Sequence, residues 1–293
     1  MSVQDALILG AIQGLTEFLP VSSSGHLVLA EAVMKLPVES LKSFDIATHF
    51  GTLLALLLYF WKDFLGIIGG FFRTVRRGYW WVQAAIWPHQ AFKTEKDFQH
   101  HTHEEQLFRW LVVATMPAIL LGLTLGDWLD AMFRHPGSVA IFMIVVGVLF
   151  FVAELVYSKV KTRNVGFREG VVMGLAQCIA LIPGVSRSGI TISSGLFQGV
   201  KREEAAKFSF LLGSIAILGG TVFAVVAVLK GKYAMPPVDA LVAGIFSSFI
   251  VGLGAISFLM KFLKKHTLHV FGVYRVILGF VLLYLVNFTG IFG

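Results

Sequence analysis

Residues 13–26 read QGLTEFLPVSSSGH, with MSVQDALILGAI before them and LVLAEAVM after. The flanks are apolar. A chain entering a bilayer normally excludes a carboxylate, three consecutive serines and a histidine, because each polar group there must find a partner inside the protein. Pro20 stops a helix, since its ring removes a donor and clashes with the preceding turn. The Ser-Gly turn that follows can begin another, with serine as its N-cap. The stretch therefore predicts a helix broken inside a membrane, with the polar groups gathered at the break.

A second stretch repeats the design. Residues 177–190 read QCIALIPGVSRSGI. Allowing a one-residue gap, both run Gln, an apolar segment, Pro, then Val-Ser-x-Ser-Gly. Each is followed by an apolar helix with Phe and small residues, SFDIATHFGTLLALL in one case and KFSFLLGSIAILGG in the other. The order of residues matches as well as their types, which argues for an internal repeat.

The composition agrees with a membrane setting. Of 293 residues 56% are hydrophobic and 14% charged, with mean hydropathy +0.79. A soluble domain carries about a quarter charged residues. Six windows approach the twenty apolar residues needed to cross about 30 Å of hydrocarbon, at roughly 45–61, 108–133, 137–158, 206–229, 238–260 and 269–292. The interrupted stretches 3–36 and 166–200 are expected to be re-entrant hairpins. The expected fold is an all-α polytopic membrane protein with six transmembrane helices and two re-entrant helical hairpins related by an inverted-topology repeat. One domain covers 1–293, with repeat 1 at about 1–133, repeat 2 at about 137–293 and an insertion at 73–107. No basic segment with a cleavage site opens the chain, so no removable signal peptide is expected. The single cysteine, Cys178, excludes an internal disulfide and a cysteine metal site. The net charge of +7 is read as topology rather than nucleic-acid binding.

Basic residues orient the spans. With the 62–107 segment in the cytoplasm, only Lys35, Lys42, Arg134, Lys230 and Lys232 of the 24 Lys and Arg fall outside, while Arg187 and Arg275 stay within apolar segments. The positive-inside rule favours that arrangement. The first hairpin then enters from outside and the second from the cytoplasm.

The polar residues suggest phosphoryl chemistry. Glu17 is costly in a bilayer and needs a partner or a role; Gln13 lies four residues earlier on the same helical face. Ser22, Ser23 and Ser24 open a helix start, a natural anion site. His26 is one turn from Ser23, the spacing of a nucleophile and its base. Arg187, flanked by Ser186, Ser188 and Gly189, has the planar fork that suits phosphate oxygens. Glu17 is its alternative partner, as an ion pair joining the two hairpins. Together they supply an anion clamp, a nucleophile or water activator, and an acidic metal ligand or base. Inside a membrane, the phosphate should ride on a lipid.

At these residues the chain resembles the undecaprenyl-diphosphate phosphatase, or bacitracin-resistance, family. The matching motifs are QGLTEFLPVSSSGH (13–26), SFDIATHFGTLLALLLYFW (43–61) and PGVSRSGITISSGLFQGVKREEAAKFSFLL (183–212). The resemblance implies hydrolysis of C55 isoprenyl diphosphate to the monophosphate carrier lipid of cell-wall synthesis, with bacitracin resistance. It implies dependence on Mg²⁺ or Ca²⁺, a bacterial inner-membrane location, a site open to the outer side, and a homodimer. By motif match Glu17 takes the essential acidic position and would hold the metal, Ser23 and His26 the serine and histidine positions, and Arg187 the diphosphate clamp. Gln13, Ser22, Ser24, Ser186, Ser188 and Gly189 would line the substrate. The nucleophile stays open among Ser23, His26 and water. The competing reading is an isoprenyl-lipid flippase or transporter built on the same inverted repeats.

Other motifs carry less. HHTHEE (100–105) reads as a solvated loop, and TVRRGYWWVQAAIW (74–87) as an interfacial segment anchored by Trp80, Trp81 and Trp87. Asp127 and Asp130 read as interfacial, His49 as a packing or hydrogen-bonding residue. Arg275 and Tyr274 snorkel, or Arg275 pairs inside the bundle.

Overall fold

The computed structural model describes residues 1–36, 42–86, 102–231, 235–289 and 291, with the side chains of 42 and of 80 to 86 excepted. Over these residues it is helical, with a single isolated bridge between Arg163 and Val200. The first interrupted stretch forms α1 (Val3–Phe18) and α2 (Ser23–Val33), followed by α3 (Lys42–Tyr59) and α4 (Trp61–Ile86). Then come α5 (His103–Phe133) and α6 (Pro136–Tyr157). The second interrupted stretch forms α7 (Phe167–Ile179) and α8 (Arg187–Phe197). The long helices α9 (Arg202–Leu229), α10 (Val238–Phe262) and α11 (His269–Phe288) complete the chain.

Five helices, α5, α6, α9, α10 and α11, are long and apolar enough to cross a membrane. A sixth crossing exists only if α3 and α4 count together, and they are bent by 86° where they meet. The protein is a multi-pass membrane protein. Its outward faces carry large apolar side chains such as Leu123, Leu229 and Phe246, as contact with lipid requires.

The segment 62–107, expected as a cytoplasmic loop, is helical over its first part. Residues 102–105 are not a solvated loop either. Thr102 and Glu105 form a reciprocal cap, the threonine hydroxyl accepting from the Glu105 amide at 3.3 Å and the Glu105 carboxylate from the Thr102 amide at 2.9 Å. Glu105 is buried and lies 3.3 Å from Arg77. Thr-x-x-Glu is a helix-start signal, and it outweighs the histidines beside it. His100, His101 and Trp87, with the Trp80 and Trp81 side chains, lie outside the described residues.

Helix α6 touches both broken pairs, through α2 and through α8. Helix α1 lies along α10, which also packs on α3; α7 lies along α5; α6 and α11 lie along each other. Small residues allow the closest approach: a Cβ on Gly14 would stand 2.6 Å from the Ser248 carbonyl oxygen. Phe18 and Phe210 meet edge to face at 5.4 Å beneath the first break, within a core that also includes Phe150 and Leu211.

Candidate active site

The two breaks share one backbone solution. Helix α1 ends at Phe18, and the chain reaches α2 through Ser22 at φ 76°, ψ 96°. Helix α7 ends at Ile179, and the chain reaches α8 through Ser186 at φ 73°, ψ 111°. A left-handed φ costs a residue with a Cβ about 1–3 kcal/mol unless its surroundings hold it. Both serines recover part of that by capping: Ser22 accepts from the Gly25 amide at 3.3 Å, and Ser186 from the Gly189 amide at 3.2 Å.

Side chains then tie the breaks together. Arg187 donates to Glu17 Oε1 at 2.8 Å and to the Ser209 carbonyl at 3.1 Å. Glu17 Oε2 accepts from Gln13 at 3.0 Å and from Ser23 at 3.0 Å, with His49 Nε2 at 3.6 Å. The Gly184 amide donates to Ser24 Oγ at 3.1 Å. Both ends of the ion pair are largely buried, at 14% and 8% side-chain exposure, so removing either leaves an uncompensated buried charge. An added Cβ at Gly213 would overlap the Arg187 guanidinium; only glycine lets α9 pass beneath it.

A cavity of about 530 Å³ opens at this junction. Glu17, Ser22, Ser23, Ser24, Ser186 and Arg187 line it on the polar side, and Ile182, Ala216, Ile217 and Phe223 supply apolar wall. Gln13, Ser188 and Gly189 stand behind that lining: Gln13 orients Glu17, and Ser188 and Gly189 sit in the turn of the second cap.

His26 is placed differently from the nucleophile–base pairing with Ser23. Its Nδ1 is 2.7 Å from the Ser22 carbonyl and its Nε2 2.7 Å from the Tyr274 hydroxyl, on which it also stacks. A carbonyl only accepts, so Nδ1 carries the proton and Nε2 accepts from the tyrosine. His26 is not among the cavity-lining residues, and the Ser23 hydroxyl donates to Glu17 instead.

Five residues of the site lay outside the reading of the motifs. Arg275 does not snorkel. It is fully buried and donates to the carbonyls of Pro20, Met143, Gly184 and Val185 at 3.3, 3.2, 2.8 and 3.1 Å, with Phe142 at 3.4 Å. It thus grips the backbone of both breaks; an arginine inside an apolar span was the signal. His49 is a hydrogen-bonding residue, on the Asp45 carbonyl at 2.7 Å, and it also lines the cavity beside Glu17. Glu31 and Asp45 line it too, as does Asp130, which pairs with Arg134 at 3.5 Å instead of facing the interface alone.

The family described as bacitracin resistance protein BacA matches residues 6–281. An undecaprenyl-diphosphatase of Geotalea daltonii is 38% identical over 290 residues, covering 98% of this chain and 100% of the relative. One of Thermodesulfovibrio yellowstonii is 39% identical over 97% of each chain. One of Methanosphaera stadtmanae is 36% identical over 96% of this chain and 97% of the relative. With matches that run nearly end to end and include both breaks, the chain belongs to the bacitracin resistance protein BacA family.

Proposed function

We propose that the protein hydrolyses undecaprenyl diphosphate to undecaprenyl phosphate and inorganic phosphate. The observation that carries this reading is the Glu17–Arg187 pair at 2.8 Å, with the Ser23 hydroxyl on the same carboxylate, in a cavity with an apolar wall at Ile182, Ala216, Ile217 and Phe223. The names of the relatives support the same substrate. Arg187 binds the terminal phosphate through its fork. The oxygen of Ser23, or of a water in its place, attacks the terminal phosphorus. The bond to the bridging oxygen breaks, and the lipid monophosphate leaves with the electron pair. Glu17, already hydrogen-bonded to Ser23, receives the proton of the attacking O–H. In the serine route, water then hydrolyses the phosphoserine and returns the proton to the hydroxyl. The engagement of both His26 nitrogens supports a positioning role for that residue, through the Ser22 carbonyl, over attack on phosphorus.

A divalent cation fits Glu17 poorly, because both of its oxygens already accept from N–H or O–H donors, one of them cationic. No step is routed through a metal at that residue.

The matched breaks support reading α1–α2 and α7–α8 as re-entrant hairpins entering from opposite leaflets. Counting the bent pair α3–α4, α5 and α6 as three crossings between them inverts the second hairpin relative to the first. This moves the boundary between repeats from about 135 to the turn after Tyr157, so that each half holds one hairpin and three crossings. Asp130 and Arg134, at the end of α5 that basic residues assign to the outside, line the cavity and support an outward opening in a bacterial inner membrane. Carrier-lipid recycling for the cell wall, and bacitracin resistance, follow from that placement. The test is phosphate release from C55 isoprenyl diphosphate by purified protein in detergent, against Glu17→Ala and Arg187→Ala. Lipid movement in proteoliposomes without phosphate release would assign a flippase instead.

A further inference from the structure

Beyond the Glu17–Arg187 pair, the cavity contains carboxylate oxygens that no donor satisfies. Glu31, on α2, is 1% exposed, and neither of its oxygens has a hydrogen-bond partner. Asp45, on α3, presents a buried Oδ1 in the same condition. The two side chains are close enough to interact directly, and both line the cavity. Glu17, by contrast, has donors on both of its oxygens, so two adjacent buried carboxylates with unpartnered oxygens call for an occupant.

The neighbouring cation does not supply it. Arg134 reaches Asp45 only through Oδ2, at 3.5 Å, and divides its charge with Asp130, also at 3.5 Å. One guanidinium thus faces three carboxylates. His49 faces the other way: its Nδ1 donates to the Asp45 carbonyl at 2.7 Å, and its Nε2 points to Glu17.

We infer that Glu31 and Asp45 form a binding site for a hard divalent cation, separate from Glu17 and joined to it through His49. Carboxylate oxygens select ions of the Mg²⁺, Ca²⁺ or Mn²⁺ class. Among the described residues no three His, Cys, Asp or Glu side chains converge on one ion. Two carboxylates therefore leave positions for water and for phosphate oxygens, the way Mg²⁺ is commonly held beside a phosphorylated substrate. A bound ion there would offset diphosphate charge in the same cavity that Arg187 lines. The purpose of the site rests on the phosphatase reading, but its existence does not.

The experiment is a titration of the full-length protein in detergent, without lipid substrate, with Mn²⁺ followed by electron paramagnetic resonance. One Mn²⁺ per chain is expected, displaced by Mg²⁺ or Ca²⁺. Glu31→Gln and Asp45→Asn should each weaken binding at least tenfold, and Glu17→Gln by less than twofold. Mn²⁺ should raise the unfolding temperature of the wild type but not of Glu31→Gln; should that variant fail to fold, Asp45→Asn carries the same comparison. Absence of binding by the wild type overturns the inference, as does binding that survives both substitutions or is lost with Glu17→Gln alone. A wild type that binds no Mn²⁺ while metal-free Glu31→Gln melts higher would assign the pair to a shared proton, and also overturns it. Retained Mn²⁺ binding without phosphate release counts against the phosphatase reading only; phosphate release without Mn²⁺ binding counts against this site only.

Discussion

At Ser22 and at Ser186 the chain turns through nearly the same φ and ψ, caps a glycine amide three residues on, and stacks the next serine hydroxyl against the cap at 3.2 and 3.3 Å. What differs is the side chain between the two serines and the residue four past the cap. The first break places Ser23 and His26 there; the second places Arg187 and Ile190. Three residues before the Pro, Glu17 of the first break has Ala180 as its counterpart. The backbone is thus a duplicated device, and the chemistry is divided between the copies: the acid and the hydroxyl on one, the guanidinium on the other. Neither break is a site alone. Arg187 completes the first only because α9 carries a glycine where its side chain passes.

The hardest blow to this pairing should come from Arg275→Met, which takes a donor from five carbonyls, three of them in the two breaks at Pro20, Gly184 and Val185. At about 1–3 kcal/mol for each orphaned acceptor, the variant should lose several kcal/mol and unfold far below the wild type in a detergent melt. A variant as stable as wild type would show that the breaks hold their shape unaided. Next is Arg187→Ala, expected to reduce phosphate release by roughly 10²–10³-fold, the scale of losing one preorganised charge. Arg187→Lys should be nearly as poor, because an ammonium lacks the fork. Near-normal turnover in either would separate the two breaks functionally.

Gly213→Ala tests the division more gently, by pushing the guanidinium aside without removing it. A displacement near 1 Å costs on the order of 10–100-fold in turnover, with the melting temperature changed less than by Arg275→Met. His26→Ile, which writes the second break into the first, removes two hydrogen bonds and Tyr274→Phe one of them, each near 1 kcal/mol. Turnover should fall by roughly 10–30-fold in the first and roughly fivefold in the second. A loss from His26→Ile as deep as that from Arg187→Ala would mean that the imidazole acts on phosphorus directly. The smallest effect is expected from Gly254→Ala, where an added Cβ meets nothing within 4 Å. It should leave phosphate release unchanged and raise stability by up to about 1 kcal/mol through helix propensity.

Much of this was written into the chain. Uninterrupted apolar runs betray α5, α6, α9, α10 and α11, because hydrocarbon thickness sets a minimum length that a sequence either meets or does not. Pro20 and Pro183, followed by serine and glycine, mark both breaks through local backbone chemistry. Gln13 and Glu17 share a face because a helix repeats every 3.6 residues. The sharp bend between α3 and α4 is less legible, since Tyr59, Phe60 and Trp61 offer no proline or glycine to announce it.

What the sequence by itself determined is therefore local: where the chain crosses, where it breaks, and which polar groups stand at each break. Tertiary structure alone decided the partners. Glu17 meets Arg187 from 170 residues away, and Arg275 gathers carbonyls 91 and 255 residues distant. It also set Glu31 against Asp45, and turned His26 toward Tyr274. Periodicity orients a side chain only within its own helix. Which helix faces it depends on how small residues let neighbours approach and on which buried charges must find one another in a medium without water.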